Sequence, residues 1–142
     1  MQAFRIKGGK KLKGEVRPQG AKNEALQIIC ATLLTSEKVI INNIPDIIDI
    51  NKLSSLLISL GVKVEKLNSN KYSFKADNID LDYLKSEQFK IDGKSLRGSI
   101  MIVGPLLARF GKAYIPRPGG DKIGRRRLDT HFEGLILSLI HI

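Results

Sequence analysis

The chain has 142 residues, of which 42% are hydrophobic and 6% aromatic, and its formal net charge is +10. This length provides one compact core, and the charge favours anionic partners such as nucleic acid, acidic lipid or phosphorylated small molecules. The single cysteine excludes an internal disulfide, no signal-peptide pattern opens the sequence, and no apolar run approaches the ~20 residues that span a bilayer. We therefore expect a cytoplasmic protein without a membrane segment.

The first third of the chain predicts a hairpin followed by a helix. Residues 4–7 and 12–16 alternate in polarity on either side of Gly8-Gly9, which is typical of two paired strands. From Ala21 the period becomes helical. The apolar stripe of this helix consists of Leu26, Ile29, Cys30, Leu33 and Leu34.

A short strand, a second helix and a hairpin come next. Residues 39–41 predict the strand, and residues 62–67 and 72–76 predict the hairpin. Gly61 stands where a helix commonly ends in the left-handed conformation. The buried face of the helix before it is predicted to be Leu53, Leu56, Leu57 and Leu60.

The pattern then begins again. A third apolar stripe contains Gly104-Pro105, which predicts a kink or a late helix start because proline cannot donate to the carbonyl one turn back. The stripe consists of Leu96, Ile100, Val103, Leu107 and Phe110. Gly111 ends this helix, residues 113–116 predict a strand, and a fourth helix starts near Leu128. Residues 33–41 and 106–115 match as helix end, turn and strand, so we predict an α/β (α+β) fold with an internal repeat.

Two helix starts carry residues suited to anions. Lys22 and Asn23 follow Gly20-Ala21 at the start of the first helix, where free backbone N–H groups and the helix dipole favour negative charge. Arg97, near the start of the third helix, suits bidentate binding of a phosphate or carboxylate. An ordinary helix start with a solvated lysine, and a surface arginine, are the more common explanations of the same residues.

The third candidate is the basic glycine loop of residues 118–131. Arg125, Arg126 and Arg127 supply anion-binding groups beside the carboxylate of Asp121. The loop has neither the Walker A nor the GxGxxG spacing. His131 is more typical of a helix surface or core than of a ligand. No cluster in the sequence has metal-site spacing, so we predict no metal.

Together these motifs closely resemble those of the UDP-N-acetylglucosamine enolpyruvyl transferases. They are Gly20-Ala-Lys-Asn-Glu-Ala-Leu26, then Leu96-Arg-Gly-Ser99 with Gly104-Pro-Leu-Leu-Ala-Arg-Phe-Gly111, then Pro118-Gly-Gly-Asp-Lys-Ile-Gly124 followed by Arg126 and Asp129-Thr-His131. The resemblance runs from Phe4 to about Leu135. It implies transfer of enolpyruvyl from phosphoenolpyruvate to the 3-hydroxyl of UDP-N-acetylglucosamine with release of phosphate, the first committed step of peptidoglycan precursor synthesis.

The resemblance also implies the domain organisation. The expected fold is an inverse α/β barrel of repeated βαβαββ units, in two domains with the active site in the cleft between them. Residues 1–20 would be N-terminal strands of the discontinuous other domain, and residues 21–142 an incomplete substrate-binding domain of about one and a half repeats. The missing C-terminal portion of the same enzyme would be a required partner, and the 142-residue chain would be inactive alone.

Site residues follow by position from the resemblance. Lys22, Asn23 and Arg126 would bind phosphoenolpyruvate. UDP-N-acetylglucosamine would be bound by Arg97, Arg126, Arg127, Leu128, Asp129 and Thr130. No cofactor is implied, and no nucleic acid or membrane partner.

Asp121 departs from the pattern, because most members of this family have cysteine at this position. The resemblance implies that it acts as the general acid that protonates the methylene carbon of phosphoenolpyruvate. An aspartic acid with a reference pKa of about 3.9 would need a rise of about 3 units, roughly 4 kcal/mol, to stay protonated near pH 7. Burial and substrate phosphate raise such a pKa, whereas nearby arginines lower it. Without the cysteine, resistance to fosfomycin is expected.

Two alternatives remain from the sequence. The related 3-phosphoshikimate enolpyruvyl transferases share the fold but carry a different lysine motif at the first helix. A basic nucleic-acid-binding domain would also explain the +10 charge. It is disfavoured because the arginines lie in glycine loops and at helix starts, with no aromatic-interleaved basic strand and no recognition helix.

Overall fold

The computed structural model describes residues 3–117, 119 and 127–138. Residues 3–20 contain no helix or strand, and their apolar side chains are between 89% and 98% exposed at Phe4, Ile6, Leu12 and Val16. The predicted hairpin is therefore wrong for this structure. Two strands alone are marginally stable and need a further strand or a packed surface, which these residues do not contact here. That they belong to a second domain stays a prediction.

Helix α1 spans Lys22–Ala31 and continues as a 3-10 turn, Thr32–Leu34. Its predicted apolar stripe is confirmed for the four side chains that are buried, Leu26, Ile29, Cys30 and Leu33. Leu34 is instead 52% exposed, because the tighter 3-10 turn changes the angle between successive side chains. The stripe therefore packs α1 and the start of the 3-10 turn against the core, and it ends before Leu34.

The three predicted strands of the first unit form one antiparallel sheet. Strand β1 is Lys38–Ile41, β2 is Lys63–Lys66 and β3 is Tyr72–Lys75, in the order β1-β3-β2. Phe74 in the central strand lies opposite both Val39 and Val64. The fully buried Phe74 ring therefore fixes the register from both sides.

Helix α2, Ile48–Ser59, packs between α1 and the sheet through the predicted leucines. After it, Gly61 adopts φ +102, as its position predicts. A Cβ there would lie 2.3 Å from the carbonyl oxygen of Asn78. Glycine is therefore required both by the left-handed backbone and by the close approach of the Asn78 backbone.

Helix α3, Glu87–Lys94, carried no sequence prediction. The Ser86 hydroxyl caps it by accepting a hydrogen bond of 3.0 Å from the Phe89 amide. Ser86 before Glu87 is a usual helix-start signal, but the helix is short and Phe89 is its one large buried side chain. No apolar period was therefore available to reveal it.

The third apolar stripe begins as a 3-10 turn, Arg97–Ile102, and becomes helix α4 at Val103–Phe110. The late helix start predicted at Gly104-Pro105 is confirmed, and Gly111 ends α4 with φ +65. The predicted stripe is confirmed for its buried members Leu96, Ile100 and Val103. In α4, Leu106 is fully buried, whereas Leu107 and Phe110 are half-buried. The 3-10 turn has three residues per turn and therefore shifts the buried face by one position.

The strand predicted at residues 113–116 is absent. The segment packs Ala113 and Ile115 against the core but has no neighbouring strand in the described part of the chain, and a strand requires a partner for its backbone groups. Helix α5, Asp129–Leu137, starts where predicted.

Arg109 joins α4 to the first unit. Its guanidinium donates to the carbonyl oxygens of Leu33 and Thr35 at 3.0 Å and of Ala76 at 2.8 Å. These carbonyls lie at the ends of α1 and β3, where helix and sheet bonding has stopped. One side chain therefore holds together three elements that are remote in sequence.

Candidate functional site

A cleft of about 420 Å³ opens where the start of α1, the first turns of α2, the 3-10 turn of residues 97–102 and the start of α5 meet. Five of the predicted site residues line it together: Lys22, Asn23, Arg97, Arg127 and Leu128. Residues more than 100 positions apart in the sequence thus meet at one surface. The cleft also includes Asp49, Lys52 and His131, for which no role was predicted.

The start of α1 is fixed by a close backbone contact. A Cβ on Gly20 would lie only 1.8 Å from the carbonyl oxygen of Asn43, so only glycine allows this approach. Ala21, the residue before the helix, has no side-chain group to cap it. The first-turn amides of α1 therefore receive no side-chain cap from Ala21, and they lie at the same end of the helix as Lys22 and Asn23.

Lys22 forms an ion pair with a carboxylate that the sequence did not predict. Its Nζ lies 2.7 Å from Oδ2 of Asp49, in the first turn of α2. The two side chains remain 51% and 34% exposed. Such a pair contributes little to stability, but it gives the Lys22 ammonium a defined direction in the cleft. Asp49 could have been found only from knowledge that α1 and α2 pack side by side.

Arg97 begins the 3-10 turn, and a buried serine shapes that turn. The Ser99 hydroxyl lies 2.8 Å from the Gly93 carbonyl oxygen and 2.7 Å from that of Leu96. Gly98 packs against Leu26 of α1, with 3.2 Å between its ideal Cβ position and the leucine Cδ1. The turn that carries Arg97 is thereby held against the helix that carries Lys22.

Of the remaining predicted residues, some lie outside the cleft and others lie outside the described part of the chain. Arg127 lies 3.6 Å from the Asp129 carboxylate, and neither Asp129 nor Thr130 is among the residues that line the cleft. Asp121 and Arg126 lie outside the described residues. The structure therefore gathers the lysine, asparagine and two of the arginines, and the roles assigned to individual residues stay predictions.

The charge of the cleft favours an anion. Its described lining has four cationic side chains, from Lys22, Lys52, Arg97 and Arg127, and one carboxylate, from Asp49. Four positive charges and one negative charge leave an excess of three, without counting His131. Such a concave surface binds and orients a multiply charged anion.

Outside the cleft, hydrogen bonds from Lys75 and Lys63 lower the pKa of the Asp77 carboxyl to about 2. That residue follows the end of β3. In the described part of the chain, no group of three or more His, Cys, Asp or Glu residues could hold a metal ion.

Within the same residues, no helix has the length and apolarity needed to cross a membrane.

Known proteins give a consistent match. The chain is 62% identical over 135 residues to UDP-N-acetylglucosamine 1-carboxyvinyltransferase of Bacteroides thetaiotaomicron, which covers 95% of the chain and 31% of that protein. The enzyme of that name from Porphyromonas gingivalis is 58% identical, with the same coverage. The chain thus spans about a third of the length of these relatives.

A solved structure supports the fold. The crystal structure of the enolpyruvyl transferase NikO from Streptomyces tendae matches 75% of the chain and 24% of its own, with a TM-score of 0.56 and 24% sequence identity. This likeness confirms the predicted enolpyruvyl-transferase fold class. The profile of the EPSP synthase (3-phosphoshikimate 1-carboxyvinyltransferase) family matches residues 6–139. This match covers almost the whole sequence, and the chain therefore belongs to the EPSP synthase (3-phosphoshikimate 1-carboxyvinyltransferase) family.

Proposed function

We propose that the full-length protein containing this chain transfers enolpyruvyl from phosphoenolpyruvate to the 3-hydroxyl of UDP-N-acetylglucosamine and releases phosphate. The observation that carries the proposal is the cleft in which Lys22, Asn23, Arg97 and Arg127 converge with an excess of positive charge. Both proposed substrates carry several negative charges. The relatives that are 58% and 62% identical bear the name of an enzyme of this activity.

The proposed chemistry requires charge stabilisation and one proton donor. The sugar 3-hydroxyl loses its proton to a base and adds through its oxygen to C2 of phosphoenolpyruvate, while an acid protonates the methylene carbon. The C2–O bond to phosphate then breaks, and loss of a proton restores the double bond. Lys22 and Asn23 would hold phosphoenolpyruvate, and Arg97 and Arg127 would hold the nucleotide sugar. Such contacts act most strongly where negative charge develops.

Asp121 and Arg126 complete the proposal from the sequence alone. Asp121 would donate the proton, and Arg126 would bind the anionic groups of both substrates. Residues 1–20 would contribute strands to a second domain that closes the cleft. The product would enter peptidoglycan synthesis, and the protein would work in the cytoplasm, where both substrates are metabolites.

The test is phosphate release by the full-length protein with both substrates present. We expect turnover that requires phosphoenolpyruvate and UDP-N-acetylglucosamine together. Replacing Lys22 by Met, or Arg126 by Met, should lower kcat/KM by about 100-fold or more. Lys85→Met removes a charge at an exposed residue outside the cleft and should leave kcat/KM unchanged.

The same assay separates the proposed activity from its alternatives. Turnover with shikimate 3-phosphate but not with UDP-N-acetylglucosamine would assign the protein to the other enolpyruvyl transferases. Binding of nucleic acid without turnover of either sugar substrate would support a basic nucleic-acid-binding domain instead.

A further inference from the structure

Lys52 lies in the cleft without an assigned role. It follows Asp49 by three residues on α2, and residues at this spacing share one helix face. Both side chains line the cleft. The face of α2 that directs Lys22 through Asp49 therefore also presents an ammonium group of its own.

The contacts of Lys52 differ from those of Lys22. The Lys22 charge is compensated by the Asp49 carboxylate at 2.7 Å. Lys52 takes part in none of the ion pairs between described residues. Its Nζ contacts the backbone carbonyl oxygen of Ser95 at 3.4 Å, which is longer than an ordinary hydrogen bond. This contact is too weak to give Lys52 a structural purpose.

The position of Lys52 allows it to reach a bound anion. Its side chain lines both the main cleft and an adjoining cavity of about 300 Å³ between α2 and α3. In that cavity the Asp92 carboxylate accepts from the Tyr83 hydroxyl at 2.8 Å and from the Gln88 amide at 2.9 Å. Each Asp92 oxygen thus already accepts a hydrogen bond, and Asp92 forms no ion pair with Lys52 among the described residues. An anion would bind in the main cleft instead. Arg97, which lines that cleft, follows Ser95 by two residues.

We propose that Lys52 is an additional phosphate-binding residue of this site. The inference rests on the proposed function, because the phosphate is that of phosphoenolpyruvate or the diphosphate of the nucleotide sugar. On binding, a phosphate oxygen replaces the Ser95 carbonyl as the partner of Nζ. Lys52 thus adds a charge-assisted contact that binds substrate without taking part in proton transfer.

The experiment compares Lys52→Met, Lys52→Arg and Lys85→Met in the full-length protein. Loss of one charge-assisted contact should raise KM by about tenfold for the substrate whose phosphate it binds. A rise for phosphoenolpyruvate alone identifies its phosphate, and a rise for UDP-N-acetylglucosamine alone identifies the diphosphate. Lys52→Arg should recover most of the affinity. The melting temperature should stay the same in all three variants, since the lost Ser95 contact is weak.

The inference is overturned if Lys52→Met matches Lys85→Met in both KM values. A measurement of pyrophosphate binding tests the role of Lys52 independently of the proposed activity. If the wild-type protein shows no turnover, the proposed function fails, and calorimetric titration with inorganic pyrophosphate still tests the residue. Weaker pyrophosphate binding by Lys52→Met than by Lys85→Met supports Lys52 as a phosphate ligand, and equal binding refutes it.

Discussion

Single residues in the cleft differ in whether they touch substrate or direct a neighbour that does. Asp49 is of the second kind in the proposed site, because its carboxylate holds Lys22 Nζ at 2.7 Å. A carboxylate beside an anion site weakens anion binding by repulsion. Orientation of the Lys22 ammonium would offset this cost. The value of Asp49 therefore lies in orientation rather than in stability.

Asp49→Asn tests this orientation. We expect kcat/KM to fall by about tenfold, because Lys22 loses its fixed direction. The melting temperature should change by no more than about 2 °C, since an exposed ion pair contributes little. Asp46→Asn is the control, because it removes another exposed lysine–aspartate pair, with Lys66 at 3.1 Å, outside the cleft. Equal kinetics in the two variants would show that Asp49 does not direct Lys22.

Asp121 makes a second prediction at this scale, argued from its chemistry alone. A thiolate attacks an epoxide readily, whereas a carboxylate is a weaker nucleophile. The full-length protein should therefore keep its activity when incubated with fosfomycin, and Asp121→Cys should lose activity with time and gain the mass of the drug. Activity of the aspartate form should also fall as pH rises through the pKa of this acid. A covalent adduct on the wild-type loop would contradict the assignment.

Elements are held together here by polar contacts as well as by the core. Arg109 of α4 satisfies carbonyls at the end of α1 and beyond β3, and its guanidinium stacks on the Phe110 ring at 4.8 Å. The motif that contains Arg109 contributed to the family resemblance. In this structure its arginine joins elements and does not line the cleft.

Arg109→Met should lower the free energy of unfolding by about 2–3 kcal/mol, because three carbonyl oxygens lose a charged donor. Arg17→Met makes the same replacement at an exposed residue and should change the free energy by less than about 0.5 kcal/mol. Urea unfolding of the two variants measures the difference. Identical midpoints and slopes would mean that solvent replaces Arg109 at no cost.

Local sequence determines part of this fold. The helices with long apolar stripes, the hairpin of β2 and β3, and the glycine helix ends at Gly61 and Gly111 were predicted correctly. These features depend on residues close in sequence. The strands expected at residues 4–16 and 113–116 require partners from elsewhere, and the Lys22–Asp49 pair requires knowledge of how α1 and α2 pack. Pairing across the chain was therefore the part that sequence alone did not provide.

At the scale of the whole molecule, the chain spans 31% of the length of its relatives. The described part has an apolar groove of about 520 Å³ lined by Val103, Leu107, Tyr114 and Phe132. On α5, Ile136 and Leu137 are 57% and 84% exposed. These surfaces and the one-sided cleft are consistent with a chain that works as part of a longer protein.

The 142-residue chain by itself should therefore show no transferase activity. In the proposed full-length enzyme, a second domain would close the cleft and exclude water. Phosphate release from the purified chain should equal that of a blank without protein, while the full-length protein turns over under the same conditions. Turnover by the isolated chain at an ordinary enzyme rate would refute this expectation.

The reactivity of the buried thiol of α1 can be used to measure how often the core of the isolated chain opens. Cys30 is 1% exposed and is the sole cysteine of the sequence. Burial raises its pKa from 9.0 to about 12, so the native thiol stays protonated and unreactive. Modification by Ellman's reagent then counts molecules in which the first helix has left the core. Since only the unfolded thiol ionises between these values, stability should decline as pH rises from 9.0 toward 12, and labelling should accelerate over the same interval.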